Sequence, residues 1–367
     1  MGLGVGIVGL PNVGKSTCFN ALTKAQNAQA QNYPFCTIEP NKAIVQVPDS
    51  RLGELAKIVN PDKIQNSVIE FIDIAGLVRG ASKGEGLGNK FLSNIRESEI
   101  IFHMIRCFDD GNITHVEGEV DPIRDLEIIE TELIYADLSQ LEKKIEKLSK
   151  QLKGSKEAGL ILALAKDLLA HLEELKPVQS FEKKDDKYFS ELDKELRFLS
   201  NKEMIYGANV DEESLGEGTN EYVESLKKYA KNLDREVIVL CAKVEEELIG
   251  LEDDEAKDFL NELGAEDSGL EQIIKASFSK LGLMSYFTAG KIEVRAWTIK
   301  KGIKAPKAAA VIHNDFEKGF IKAEVISYDD FIAYKGEHGA KTAGKLRLEG
   351  KDYVVQDADV MHFRFNV

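Results

Sequence analysis

Gly9-Leu10-Pro11-Asn12-Val13-Gly14-Lys15-Ser16 is the stretch on which the reading of this chain turns. It fits G-x-x-x-x-G-K-[ST], follows the apolar run of residues 3–8 and opens a helical pattern at Lys15. Gly9 and Gly14 let the backbone wrap tightly, so that N–H groups through Thr17 face phosphate oxygens. Lys15 reaches the β- and γ-oxygens, Ser16 offers a hydroxyl to Mg²⁺, and the helix N-terminus favours negative charge. A strand, a glycine loop and a helix in that order imply a phosphate-binding α/β domain.

Outward from this loop, more short apolar runs follow: Ala43–Val47, Val68–Ile72, Ile100–Cys107, Met204–Ala208 and Val237–Cys241. Most are continuously hydrophobic, as strands covered on both faces are, and helical patterns lie between them. The expected fold class is α/β, a doubly wound sheet. The run from Val68 ends in Asp73, which is placed to hold a magnesium-bound water beside Ser16. Asp73-Ile-Ala-Gly76 then puts Gly76 where its N–H can meet a γ-phosphate. Thr37, in the loop between the two motifs, is the candidate to complete the magnesium shell. Gly76, Gly80, Gly84, Gly86 and Gly88 crowd the following segment, which reads as a switch loop because glycine-rich chain is expensive to order.

The chain has 367 residues, with 43% hydrophobic and 30% charged, and a formal net charge of −15. These values fit a soluble protein of two or three domains and argue against non-specific coating of nucleic acid. No DNA sequence recognition is expected. No apolar run is long enough to span a membrane, and the N-terminus has no basic leader. Cys18, Cys36, Cys107 and Cys241 lack CxxC spacing, which suggests neither a disulfide framework nor a zinc site and fits a reducing cytosol.

Between 123 and 198 the alternation stops. Leu138, Leu141, Ile145, Leu148 and Leu152 recur at helical spacing, as do Leu160, Leu164, Leu168, Leu172 and Leu175 after Gly154-Ser155. Two such seams predict an inserted antiparallel helical hairpin whose first helix runs about 30 residues. From about Leu283 the pattern becomes a small mixed α+β domain, with strands expected at Val294–Ile299, Val325–Ser327 and Tyr353–Gln356.

Gly9-Leu-Pro-Asn-Val-Gly-Lys-Ser, Phe35-Cys-Thr-Ile-Glu-Pro-Asn, Asp73-Ile-Ala-Gly-Leu-Val and Phe316-Glu-Lys-Gly-Phe-Ile together resemble the YchF / Obg-like ATPase family over essentially the whole chain. The resemblance implies a P-loop G domain at 1–122 and 199–282, a coiled-coil hairpin at 123–198 and a β-grasp-like TGS domain at 283–367. It also implies a cytoplasmic, ribosome-associated enzyme that prefers ATP to GTP.

Guanine is usually read by N-K-x-D at a strand end. Here that place holds Asn209-Val210-Asp211-Glu212, with Val for Lys and the longer Glu for Asp. Adenine offers no N1 proton and no 2-amino group, so a guanine-reading carboxylate would lose its partners. Asn209, Val210 and Glu212, with Ala242 and Lys243 after the next strand, are the candidate base-side contacts. Many GTPases orient the attacking water with a Gln just after D-x-x-G; this chain has Leu77. His115, in the loop after Ile100–Cys107, is the alternative the family resemblance favours. In related P-loops an Asn at the position of Asn12 helps bind a monovalent cation, so K⁺ is a candidate second ion.

Lys143, Lys144, Lys147, Lys150, Lys153 and Lys156 face a single acid, Glu146, at the hairpin tip. With the TGS-like domain and its Lys300, Lys301, Lys304 and Lys307, this is the candidate contact for ribosomal RNA. Two competing readings stay open: an Obg-type GTPase, and a nucleotide-gated binding module with negligible turnover.

Overall fold

A computed structural model describes residues 4–29, 41–73, 87–151, 156–251, 253–265 and 267–366. Among these residues twelve strands form: β1 Gly4–Val8, β2 Lys42–Gln46, β3 Lys63–Gln65, β4 Val68–Asp73, β5 Ile100–Arg106, β6 Glu203–Asn209, β7 Glu236–Leu240, β8 Leu283–Ala289, β9 Glu293–Lys300, β10 Phe320–Ile326, β11 Arg347–Glu349 and β12 Val360–Phe365. They make two six-stranded sheets, in the orders β2-β4-β1-β5-β6-β7 and β11-β10-β12-β8-β9-β3. The chain divides into two compact units, Met1–Ala43 with Glu70–Leu270 and Ile44–Ile69 with Glu271–Val367.

In the first sheet β1 pairs in parallel with both β4 and β5, and β5-β6 and β6-β7 are parallel too. Every residue of β1 and of β5 is buried. That is why these strands read as unbroken apolar runs rather than alternating ones. The strand order reverses at β1, so the crevice at its carboxyl end is the switch point where α/β sheets bind ligands. The loop Gly9–Gly14 leaves β1 there, and the helix Lys15–Gln29 follows it.

The inserted helices are Pro122–Gln151, of 30 residues, and Lys156–Glu173, of 18 residues. Leu141, Leu164, Leu168 and Leu172 pack together, joined by Phe189, Leu192 and Leu196 of a third helix, Lys187–Leu196. That third helix is absent from the two-seam reading. Leu160 and Leu175, counted in the second seam, are each 48% exposed. The hairpin tip Gly154-Ser155 lies outside the described residues. At the root, the fully buried Asp137 accepts bonds from Leu199 N, Ser200 N and Ser200 Oγ, each at 2.8 Å.

The second sheet is mixed. β10 pairs antiparallel with β11 and β12, β8 antiparallel with β9, and β12 and β3 run parallel to β8 and β9 respectively. The strand expected at Tyr353–Gln356 is not formed. Val354 makes only an isolated bridge to Lys304, and Tyr353 folds back to donate its hydroxyl to Asp359 at 2.6 Å. The expected strand Val325–Ser327 covers only the end of β10. Residues 44–69 count with this unit, because β3 zips onto β9 and Leu52 and Leu55 of the helix Ser50–Val59 pack on Phe287, Val294 and Ala296.

Candidate functional site

The loop after β1 has the backbone that phosphate binding needs. Gly9 and Gly14 sit at φ 154° and 99°, and Asn12 takes the left-handed region at 63°. A Cβ on Gly9 would stand 2.4 Å from Met104 O, and one on Gly14 2.4 Å from Asn209 Nδ2. Both glycines are therefore fixed by close approach as well as by φ. Leu10 and Val13 are buried anchors, whereas Pro11, Asn12, Ser16 and Thr17 remain accessible.

Lys15 is 6% exposed and donates to Leu10 O at 2.6 Å, curling back over its own loop. Burial pulls its ammonium down to about 8, against the opposing pull of Asp73. Asp73 ends β4. Desolvation raises its carboxyl above the ordinary range, and its buried Oδ1 has no hydrogen-bond partner among the described residues. An orphaned carboxylate oxygen beside a buried ammonium is unusual in a finished interior. It fits a divalent cation, for which Ser16 would offer the hydroxyl and Asp73 the carboxylate. Thr37, Gly76 and Leu77, with the glycine-rich segment to Gly86, lie outside the described residues.

A cleft of 780 Å³ opens from this loop toward β6 and β7. Ten of the sequence-predicted residues line it: Asn12, Gly14, Lys15, Ser16 and Thr17 at one end, Asn209, Val210, Glu212, Ala242 and Lys243 at the other. One of them also links two loops. Asn209 is 4% exposed and donates Nδ2 to Val13 O at 3.0 Å, while its Oδ1 accepts from Ala242 N at 2.9 Å. Asn209 therefore ties the phosphate loop to the 241–243 loop, and its amide keeps a second hydrogen and a second lone pair beyond these two bonds. Glu212 lies opposite Lys243, with 2.6 Å between Oε1 and Nζ.

His115 is not brought to the cleft. It is 7% exposed; Nδ1 accepts from Glu117 N at 3.1 Å and Nε2 lies 2.8 Å from Asp125 Oδ2. An accepting Nδ1 fixes the tautomer, so Nε2–H is the donor to Asp125. Neither ring nitrogen is available to a water over the phosphates in this conformation. His103, read as a core histidine, is buried in β5, and burial lowers it to about 3, which keeps it neutral.

One wall of the cleft escapes the sequence reading: Phe108, Asp109, Asp110, Gly111 and Ile113, the segment after β5. No motif marks it. Its only sequence signal is its place at the carboxyl end of a buried strand next to the switch point. The basic stretch of the second unit is also less free than it reads, since Lys304 pairs with Asp352 and Lys307 with Glu317, both at 2.7 Å. Trp297 is partly buried, donates Nε1 to Thr288 Oγ1 and lies under Arg295.

A glycine loop at the switch point, a buried lysine, an aspartate at the neighbouring strand end and a long cleft define a P-loop nucleoside triphosphate hydrolase, a class that works with Mg²⁺. A family model described as a 50S ribosome-binding GTPase matches residues 4–166. The YchF-GTPase_C model, described as a protein of unknown function, matches residues 283–366. The ribosome-binding ATPase YchF of Bacillus subtilis is 54% identical over 369 residues, and that of Escherichia coli O157:H7 51% over 373, each covering 100% of both chains. The solved structure of the Schizosaccharomyces pombe YchF GTPase superposes with a TM-score of 0.88 at 38% identity, covering 99% of this chain and 97% of that one. The chain belongs to the YchF family.

Proposed function

We propose that this chain is an Mg²⁺-dependent ATPase that prefers ATP to GTP and couples its nucleotide cycle to the ribosome. The observation that carries the base preference is the state of the Asn209–Glu212 turn. Val210 supplies no cation, and Glu212 is engaged by Lys243 where a guanine reader would present a free aspartate. Guanine selection depends on a carboxylate whose partners are the base's own N–H groups. The names of the bacterial relatives, ribosome-binding ATPase, agree with this reading. The fission-yeast relative is named a GTPase, and the half-exposed Glu212 is the observation that favours this second reading.

Ser16 and Asp73 hold Mg²⁺, with Thr37 joining once triphosphate is bound and Gly76 meeting the γ-phosphate. Magnesium supplies charge neutralisation on the β- and γ-oxygens. Lys15 moves its ammonium from Leu10 O to the phosphates, exchanging a neutral acceptor for charged ones. Asn12 spends Nδ2 on Thr114 O at 3.1 Å, so a K⁺ ion would be met by its carbonyl oxygen. His115 enters the reaction on release from Asp125. The hairpin at 123–198, with the lysines from Lys143 to Lys156, and the domain at 283–367 are the ribosome-facing parts. The setting is cytoplasmic; among the described residues no helix is long and apolar enough to cross a membrane.

The test is equilibrium competition of ATP and GTP against a fluorescent ATP analogue with Mg²⁺ present. ATP displacing the probe at lower concentration than GTP is the expected result. Equal or tighter GTP binding would overturn the base assignment while leaving the phosphate site standing.

A further inference from the structure

Arg106 closes β5 and turns its guanidinium inward, where it is 2% exposed. Nε donates to Phe108 O at 3.0 Å, Nη1 to Ile113 O at 3.0 Å and Nη2 to Asp110 O at 3.2 Å. The same group lies 4.7 Å from the centre of the Phe108 ring. Among the described residues no carboxylate forms an ion pair with it. A buried cation without a counter-ion is costly, and persists where its hydrogen bonds are met well. Here they are met by the backbone of one short segment, 108–113, five of whose six residues line the cleft.

The outer side of that segment is tethered from elsewhere. Asn220 Nδ2 donates to Cys107 O at 2.8 Å, and the Tyr222 hydroxyl donates to Asp109 Oδ2 at 2.7 Å. Asn12 Nδ2 ties the far end, at Thr114 O, to the phosphate loop. Among the described side chains, Arg106 reaches three points of the segment at once, and it does so from the interior.

We infer that Arg106 is a positioning residue of the nucleotide site: its fork holds 108–113 as a rigid wall beside the nucleoside, and so sets nucleoside affinity without touching the ligand. This rests on the reading of the cleft as the ATP site. A planar fork with five donors can serve three carbonyls in fixed directions, whereas a lysine ammonium is a point charge on a flexible stem. Arg106→Lys keeps the charge and loses the shape. The wall then loosens, while the loop Gly9–Thr17 is unchanged.

Binding to the intact protein with Mg²⁺ present separates the outcomes. Two competitors are compared against a fluorescent ATP analogue, ATP and inorganic tripolyphosphate. In Arg106→Lys, ATP affinity is expected to fall about tenfold or more, while tripolyphosphate affinity stays within about twofold. KM for ATP should rise with kcat at saturation retained. Tyr222→Phe removes an outer tether with a half-exposed group and should shift ATP in the same direction by a smaller factor. It carries the comparison alone if Arg106→Lys does not fold. Unchanged ATP affinity in a folded Arg106→Lys protein, or in Tyr222→Phe if that variant stands alone, overturns the inference. So does equal weakening of ATP and tripolyphosphate, which would mean general damage. Failure of the unsubstituted protein to bind ATP at all would instead sink the nucleotide reading itself.

Discussion

Lys15 is the residue where burial and function meet most directly. Its ammonium is brought down to about 8 by desolvation, and bound triphosphate must raise it again. The sign follows. Nucleotide affinity is full below pH 8 and declines as pH rises past it, by up to about tenfold per unit. The free protein behaves in the opposite way. Between about 8 and the unfolded lysine's value of 10.5 the unfolded chain holds the extra proton, so Lys15 makes stability rise with pH. ATP titrations at pH 7, 8 and 9, with calorimetry in buffers of different ionisation heat, would register proton uptake on binding near pH 8.5. A Kd flat across that range would mean that Lys15 does not bind phosphate through its charge. Asn209 makes a second residue-level prediction. Asn209→Ala leaves Val13 O and Ala242 N buried and unpaired, which costs about 1–3 kcal/mol and weakens all nucleotides alike, ATP and GTP together. A loss selective for one base would show that Asn209 acts chiefly as a base contact.

Elements are legible in proportion to how local their causes are. β1 and β5 can be read directly because a strand buried on both faces carries its whole explanation in one apolar run. β12, in contrast, interrupts its apolar residues with His362 and Arg364, and the nearby Tyr353–Gln356 draws the strand reading to itself. The membership of 44–69 in the second unit depends on β3 meeting β9 across more than two hundred residues of sequence, which no window registers. In the site the same rule holds. The phosphate loop announces itself as a spacing of glycines, but the 108–113 wall is held by carbonyls and one buried guanidinium, and backbone acceptors leave no mark on sequence. The hairpin offers a direct check on its packing. Leu168 is fully buried among Phe181, Phe189 and Leu172, whereas Leu160, spaced like it, is 48% exposed. Leu168→Ala should cost about 2–5 kcal/mol in urea unfolding, and Leu160→Ala under about 1 kcal/mol. Equal costs would contradict the seam as drawn.

For the whole molecule the governing fact is an acidic chain, of net charge −15, carrying a lysine cluster on an inserted hairpin. If that cluster meets ribosomal RNA, binding must be salt-dependent despite the negative total, because only the local phosphate contacts release counterions. Not all the lysines count equally. Lys144 is held by Glu195 at 2.6 Å, and Lys150 by Glu146 at 2.6 Å, so each brings less net charge to a partner. Lys143 and Lys147 lie on the same helix without that neutralisation by Glu195 or Glu146, and their removal should be felt most. Lys143→Ala with Lys147→Ala is expected to weaken ribosome co-sedimentation and to flatten its dependence on KCl by up to about two units of log–log slope. ATP hydrolysis without ribosomes should be unchanged, since neither residue lines the cleft. An unaltered salt slope would remove the tip from the interface and leave the 283–367 domain as the part that holds the ribosome. There Lys304 and Lys307 are each paired with an acid, so each would bring less net charge to a partner.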